Sequence, residues 1–331
     1  MRRTTILPVT PQTLFQHQPI LETPPYLFTC LGYVLSTGSN TMGTARPCPL
    51  CRPGRRGNKP YELELMLRLY VLQNLYTLSD EGTATEMIDS RAFSEFCGVE
   101  SSNQVPDGDT LGRFRNLLVR SGMQKRPFIQ VMKQLEARGL LLKKGTIVDS
   151  TLISAPSSTK NRKKERDPEV YSTKKGNNWY FGYKAHIGVD KYAGLVHTLK
   201  TTAADVHDVT MMPQMLNGEE KTAHGDSGYL GAEKREDAVL RNKDGKKIQY
   251  KINRRPSQSK NHSTRSKAQI KRREREKSSV RAKVEHIFAV VKGRFRYRKT
   301  RYRGLQKQAA KLNMVFALAN LILADRPCLS A

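Results

Sequence analysis

Arg281-Ala-Lys-Val-Glu285-His-Ile-Phe-Ala-Val-Val-Lys292-Gly293 is the stretch on which the reading of this chain turns. It sits in the most basic part of the sequence: residues 251–303 carry twenty Lys and Arg against three acids, Glu274, Glu276 and Glu285. Val280, Val284, Ile287, Phe288 and Val291 recur at helical spacing, so one helix with a single apolar stripe is expected here. At about 100° per residue, Arg281, Glu285 and Lys292 fall within roughly 40° of one another, about a quarter-turn from the centre of that stripe. One carboxylate is thus placed at the rim of a core between two cations. Taken alone, the same pattern describes a solvated helix with an i,i+4 ion pair contributing about 0.2–0.5 kcal/mol.

Two further carboxylates stand in matching contexts. Thr146-Ile-Val-Asp149 is a β-branched run that places Asp149 at or near the end of a buried strand, and Ala223-His-Gly-Asp226 ends another short run on an acid. Between them, Tyr180 to Asp190 alternates with Phe181, Tyr183, Ala185, Ile187 and Val189 on one face and Lys184 and His186 on the other. Leu195 to Thr201 is its hairpin partner across Lys191–Gly194. From the residues alone, Lys184 and His186 read as the exposed polar face of an antiparallel strand. His224, two residues before Asp226, reads as a group standing behind the acids, as a proton shuttle or as a structural donor. The basic, Ser-rich residues 157–175 are expected as a loop. A helix near 209–216, one near 231–239, a strand at 247–252 and the Glu285 helix complete the order. The fold class is therefore α/β, a mixed sheet flanked by helices and preceded by a small all-α unit.

That helical unit starts at Tyr61, with Leu65, Leu69, Leu72 and Tyr76 on one face. A second helix carries Met87, Ile88 and Phe93 and stops at Cys97-Gly98. Asp or Thr within 106–110 caps a third, and a fourth runs about 127–138. Arg113, Arg115 and Arg120 on the third fit either a helix in a DNA groove or a packing and dimerisation bundle. Residues 1–57, with eight prolines, are expected to be poorly ordered, giving the division 1–57, 58–142 and 143–331. Cys48-Pro-Leu-Cys51 has the gap of half a zinc site without the other half.

The formal charge of +28 is far from that of an ordinary soluble protein, and a net 17 of it comes from residues 251–303. A concentrated basic field calls for a polyanion, because each neutralised phosphate releases condensed counterions. No apolar run approaches the roughly 20 residues of a membrane span. Five scattered cysteines imply no disulfide framework, and a cytoplasmic, nucleoid-associated protein without membrane contact is expected. Phe295, Tyr297 and Tyr302 among the arginines suit either stacking on bases or anchoring a basic loop. Ala309 to Leu323 reads as a largely buried helix.

Met66-Leu-Arg-Leu-Tyr70, Leu75 to Asp80, Val148-Asp-Ser-Thr151, Gly182-Tyr-Lys-Ala-His186, Asp226-Ser-Gly-Tyr229 and Arg281-x3-Glu285-x6-Lys292 together make residues 57–324 resemble bacterial DDE transposases of the insertion-sequence-five group. The resemblance implies a ribonuclease-H-like catalytic domain in which Asp149, Asp226 and Glu285 are the catalytic and metal-binding triad. It makes Arg281 and Lys292 their basic companions, with Lys184, Arg294, Arg296 and Arg298 as further DNA contacts and His186 and His224 behind the acids. It implies two Mg²⁺ ions, replaceable by Mn²⁺, and no small-molecule cofactor. The expected substrates are double-stranded terminal inverted repeats and target DNA, handled by a homodimer that cuts the ends and transfers their 3′-OH groups. The sequence departs from the family at Ser278, where a Tyr is usual, and in its proline-rich N-terminal segment. Two other functions stay open: an end-binding relative that does not cut, and a structure-selective nuclease on the same fold.

Overall fold

The computed structural model describes residues 60–160, 164–255 and 264–325. Residues 1–57, with Cys48 and Cys51, lie outside them. The chain begins with five helices: α1 (Leu63–Leu75), α2 (Asp80–Asp89), α3 (Arg91–Cys97), α4 (Gly108–Arg120) and α5 (Arg126–Ala137). Ser79 accepts from Gly82 N to cap α2, Asp107 accepts from Thr110 N to cap α4, and Gly98 closes α3 in the left-handed conformation at φ 68°. Met87 and Phe93 do not share one helix, because the chain turns at extended Ser90. The turn lets both side chains reach the core while Ile88 stays exposed.

Six strands follow: β1 (Gly145–Ser154), β2 (Tyr171–Lys175), β3 (Asn178–Asp190), β4 (Val196–Ala203), β5 (Thr222–Gly225) and β6 (Gln249–Ile252). β1 is central, antiparallel to β3 and parallel to β5; β4 pairs antiparallel with β3, and β6 pairs parallel with β5. The main sheet thus runs β4-β3-β1-β5-β6 with β3 alone reversed, the ribonuclease-H-like arrangement. β2 extends the start of β3 as a hairpin, correcting the expectation of a loop through 175. Its residues Tyr-Ser-Thr-Lys-Lys are mostly exposed, so no apolar alternation marks it.

Helix α6 (Asp208–Met215) covers one face, where Val148, Ala223 and Tyr229 pack with Met211, Met212 and Met215. On the other face lie α7 (Thr264–Arg281), α8 (Lys283–Ala289), a π-type turn at Val290–Arg294 and α9 (Leu305–Ala324). Here Ile147, Ala185, Ile187 and Val189 join Val284, Ile287, Phe316 and the apolar faces of α1 to α5 in one continuous core. The helix expected at 231–239 is only a short turn at Ala232–Lys234, entered through Gly231 at φ 87°. Ala232 is its one buried residue, too little for an apolar stripe.

The single helix expected around Glu285 is broken at Ala282. The break falls where burial begins: no described side chain of α7 is buried, Ile270 and Val280 being only partly covered, whereas Val284, Ile287 and Phe288 of α8 are buried. Lys283 Nζ, donating to the carbonyls of Lys191 and Tyr192 in the β3–β4 turn, fixes the new direction. After the π-type turn, Phe295 and Tyr297 point into the core while Arg294, Arg296 and Arg298 point out.

Candidate active site

Pairing register decides what Asp149 can meet. Residues directly opposite one another share a face of a sheet. Asp149 lies opposite Ile187, and so faces the α7–α8 side. Its Oδ1 accepts from Ser150 N at 2.8 Å, and Oδ2 stands 3.6 Å from Arg281 Nε. Arg281 therefore pairs across to the sheet, to Asp149. Burial pushes the Asp149 carboxyl up to about 6; Asp226 and Glu285 push the same way, while the Ser150 amide and Arg281 oppose them. Three acids from distant parts of the chain thus share one electrostatic field.

Asp226 follows β5 and caps the turn Ser227–Tyr229, its Oδ1 accepting from Gly228 N at 2.8 Å. Glu285 is exposed in the first turn of α8. Lys292 is half-buried in the π-type turn; burial lowers its pKa, Lys175 and Arg298 add to that, and Glu285 opposes it. Arg294 and Arg296 are exposed, and Arg298 donates to Lys292 O at 3.0 Å. The acids offer hard oxygen donors of the kind that Mg²⁺ and Mn²⁺ take. Among the described residues no three His, Cys, Asp or Glu side chains stand close enough to hold one ion. The donor chemistry fits a divalent cation.

The structure does not bring Lys184 and His186 to Asp149. They lie opposite Leu152 and Ser150, on the α6 face. Lys184 Nζ donates to Val206 O at 2.8 Å and stands 3.2 Å from Asp208 Oδ1, so it is turned inward, away from any exposed basic surface. His186, fully buried, meets Thr202 Oγ1 at 2.8 Å through Nε2, while Nδ1 faces Asp208 Oδ1 at 3.7 Å without a hydrogen bond. His224 is buried with neither ring nitrogen hydrogen-bonded; burial, then Lys191, Lys251 and Lys277, push its pKa down to about 4.

Asp208, at the start of α6, is a carboxylate that the sequence reading passed over. A methyl group on Gly228 would stand 3.0 Å from Asp226 Oδ1 and 3.9 Å from Asp208 Oδ2, so the two acids flank that glycine. Tyr229 is buried beside them, its hydroxyl near Ser150 without hydrogen-bond geometry. Burial and the fields of Asp208, Asp149 and Asp226 raise its pKa well above the usual phenol value. The signal was present in Val206-His-Asp208. An acid in a helix's first turn has an ordinary reading, however, as a partner for the helix dipole.

Residues 141–321, more than half of the chain, match the family model of the transposase DDE domain. The chain is a member of the DDE transposases. Residues 45–117 match a second model, also a transposase domain, which reaches through α3 and most of α4. No solved structure matches the chain. A transposase acts on DNA, and the basic residues around this site are of the right sign for it. No helix of the described residues is long and apolar enough to cross a membrane.

Proposed function

We propose that this transposase cuts DNA at the ends of its element and joins the resulting 3′-OH groups to target DNA, with Asp149, Asp226 and Glu285 as its catalytic acids. One observation carries the reading: the Asp149 carboxyl, on the central strand, is raised by burial and by the other two acids together. Such a cluster is unfavourable by itself and is the arrangement expected of groups that hold divalent cations.

The three carboxylates would hold the ions, Mg²⁺ or Mn²⁺, on their remaining oxygens. Divalent cations there supply Lewis acidity to the attacking and leaving oxygens of an in-line displacement at phosphorus. The protein's own residues do the rest. Arg281, 3.6 Å from Asp149, neutralises the acid in the free protein and is placed to hold a DNA phosphate. Lys292 and the outward Arg294, Arg296 and Arg298 attract the backbone and position it without reading bases. A homodimer meets the need to hold two terminal inverted repeats at once.

Ser278 keeps one alternative open, an end-binding relative that does not cut. Incubating the full chain with duplexes carrying the element's own ends and Mg²⁺ or Mn²⁺ decides between them. Metal-dependent nicks at the ends, lost in Asp149→Ala with DNA affinity kept, support cutting. Tight end binding with no nick in either metal supports the alternative, and cutting of branched junctions irrespective of end sequence would point to a structure-selective nuclease.

A further inference from the structure

Between α7 and the chain leaving β6 runs a groove of about 730 Å³, with Asp226 and Arg281 at one end. Arg254, Arg255, Lys267 and Lys271 line the rest of it, and all four are exposed. Glu274, the one other acid in the wall, is already engaged. It accepts from Asn253 Nδ2 at 3.0 Å, from Arg254 N at 2.9 Å and from Lys277 Nζ at 2.8 Å. These bonds pin the two walls together, and Lys277 adds a bond to Ile252 O at 2.8 Å. The groove is therefore a fixed concavity whose wall cations outnumber its uncompensated acids. Ser278 also lines it, its hydroxyl accepting from Asn253 Nδ2 at 3.2 Å.

We propose that this groove binds one unpaired DNA strand, carrying it away from the phosphate held at the acids. The inference rests on Asp226 belonging to the cutting site. Charge selects the polyanion, since opposed cations in a concave wall focus field on the groove. Shape selects a single strand: a flexible backbone can follow a concavity that a stiff duplex, with a major groove alone about 12 Å wide, must lie across. Ile270 offers the apolar contact for a base.

The test compares the full chain with a variant in which Arg254, Arg255, Lys267 and Lys271 are all Gln, binding a blunt duplex and the same duplex with single-stranded thymidine tails of either polarity. The wild type should prefer one tailed duplex by about tenfold at moderate salt, and the variant should lose that preference. The slope of log affinity for the tail against log salt should fall by up to about 2.8, at ~0.7 per phosphate contact removed. Ser278→Trp, which fills the groove, should weaken tailed binding and spare the blunt duplex. Equal binding of tailed and blunt duplexes by the wild type, or a tail preference that survives in both variants, overturns the proposal. Asp149→Ala separates it from the cutting mechanism: that variant should keep the tail preference whether or not the wild type cuts.

Discussion

Two buried polar clusters in this molecule differ in how completely they are bonded. Where α1, α2 and α4 meet α9, Arg115 grips Asp80 with bonds of 2.6 and 2.7 Å, and Gln73 donates to the same carboxylate at 2.7 Å. Lys311 Nζ donates to Asn74 Oδ1 at 2.7 Å, Gln308 joins Tyr297 to Tyr302, and the Arg115 guanidinium lies 4.4 Å over the Tyr302 ring. Around the acids, by contrast, Asp149 meets Arg281 only at 3.6 Å, and Asp226 and Glu285 both oppose its ionisation. The first cluster pairs its charges and holds the fold, whereas the second sets like charges facing one another.

The sharpest way to break this contrast is to change each cluster and read activity and stability separately. Asp149→Asn should lower end cutting by at least about 10³-fold while the melting temperature holds or rises, because a carboxyl whose pKa is raised by burial costs stability when ionised. A clear fall in melting temperature would make Asp149 structural. Arg115→Ala should do the reverse. It leaves the half-buried Asp80 carboxylate without its cation and should cost roughly 2–3 kcal/mol in denaturant unfolding. An unchanged midpoint would show that the seam contributes little.

Asp208→Asn probes the boundary between the two kinds of cluster. It weakens the ion pair with Lys184 and removes a negative charge that faces Tyr229, and should reduce cutting about 10- to 100-fold with little change in DNA affinity. Equal losses in cutting and binding would place its role elsewhere. The last effect is spread over pH. Burial, with Arg301 and Arg115 adding to it, pushes the Lys311 pKa down to about 7, so between pH 7 and about 10.5 the unfolded chain holds a proton that the folded one does not. Stability should rise with pH across that window, by at most about 1.4 kcal/mol per unit from this residue. Lys311→Met should remove that rise; identical slopes in the two proteins would contradict the assignment.

Much of this was written locally in the sequence. The Gly98 stop, the Asp107 cap, the β3–β4 hairpin and the buried α9 all follow from periodicity and turn chemistry. The three acids were readable only as a set of spaced residues. Nothing local shows which face of the sheet each one takes. Thr146-Ile-Val is buried on both faces, so alternation could not reveal where Asp149 points, and Lys184 and His186 were left without an address. Register supplied it. The kink at Ala282 was likewise invisible, because it is set by where α8 meets the β3–β4 turn. The tie between Asp80 and Arg115 spans 35 positions, a contact no periodicity reports.

One side chain on α9 bears on how copies of this protein can meet. Asn320 accepts from Val196 N at 2.9 Å and donates to Val196 O at 2.7 Å, so its amide stands where a neighbouring strand would dock at the start of β4. That margin of the sheet is therefore closed to extension by another chain. A second copy cannot continue the ladder at that point.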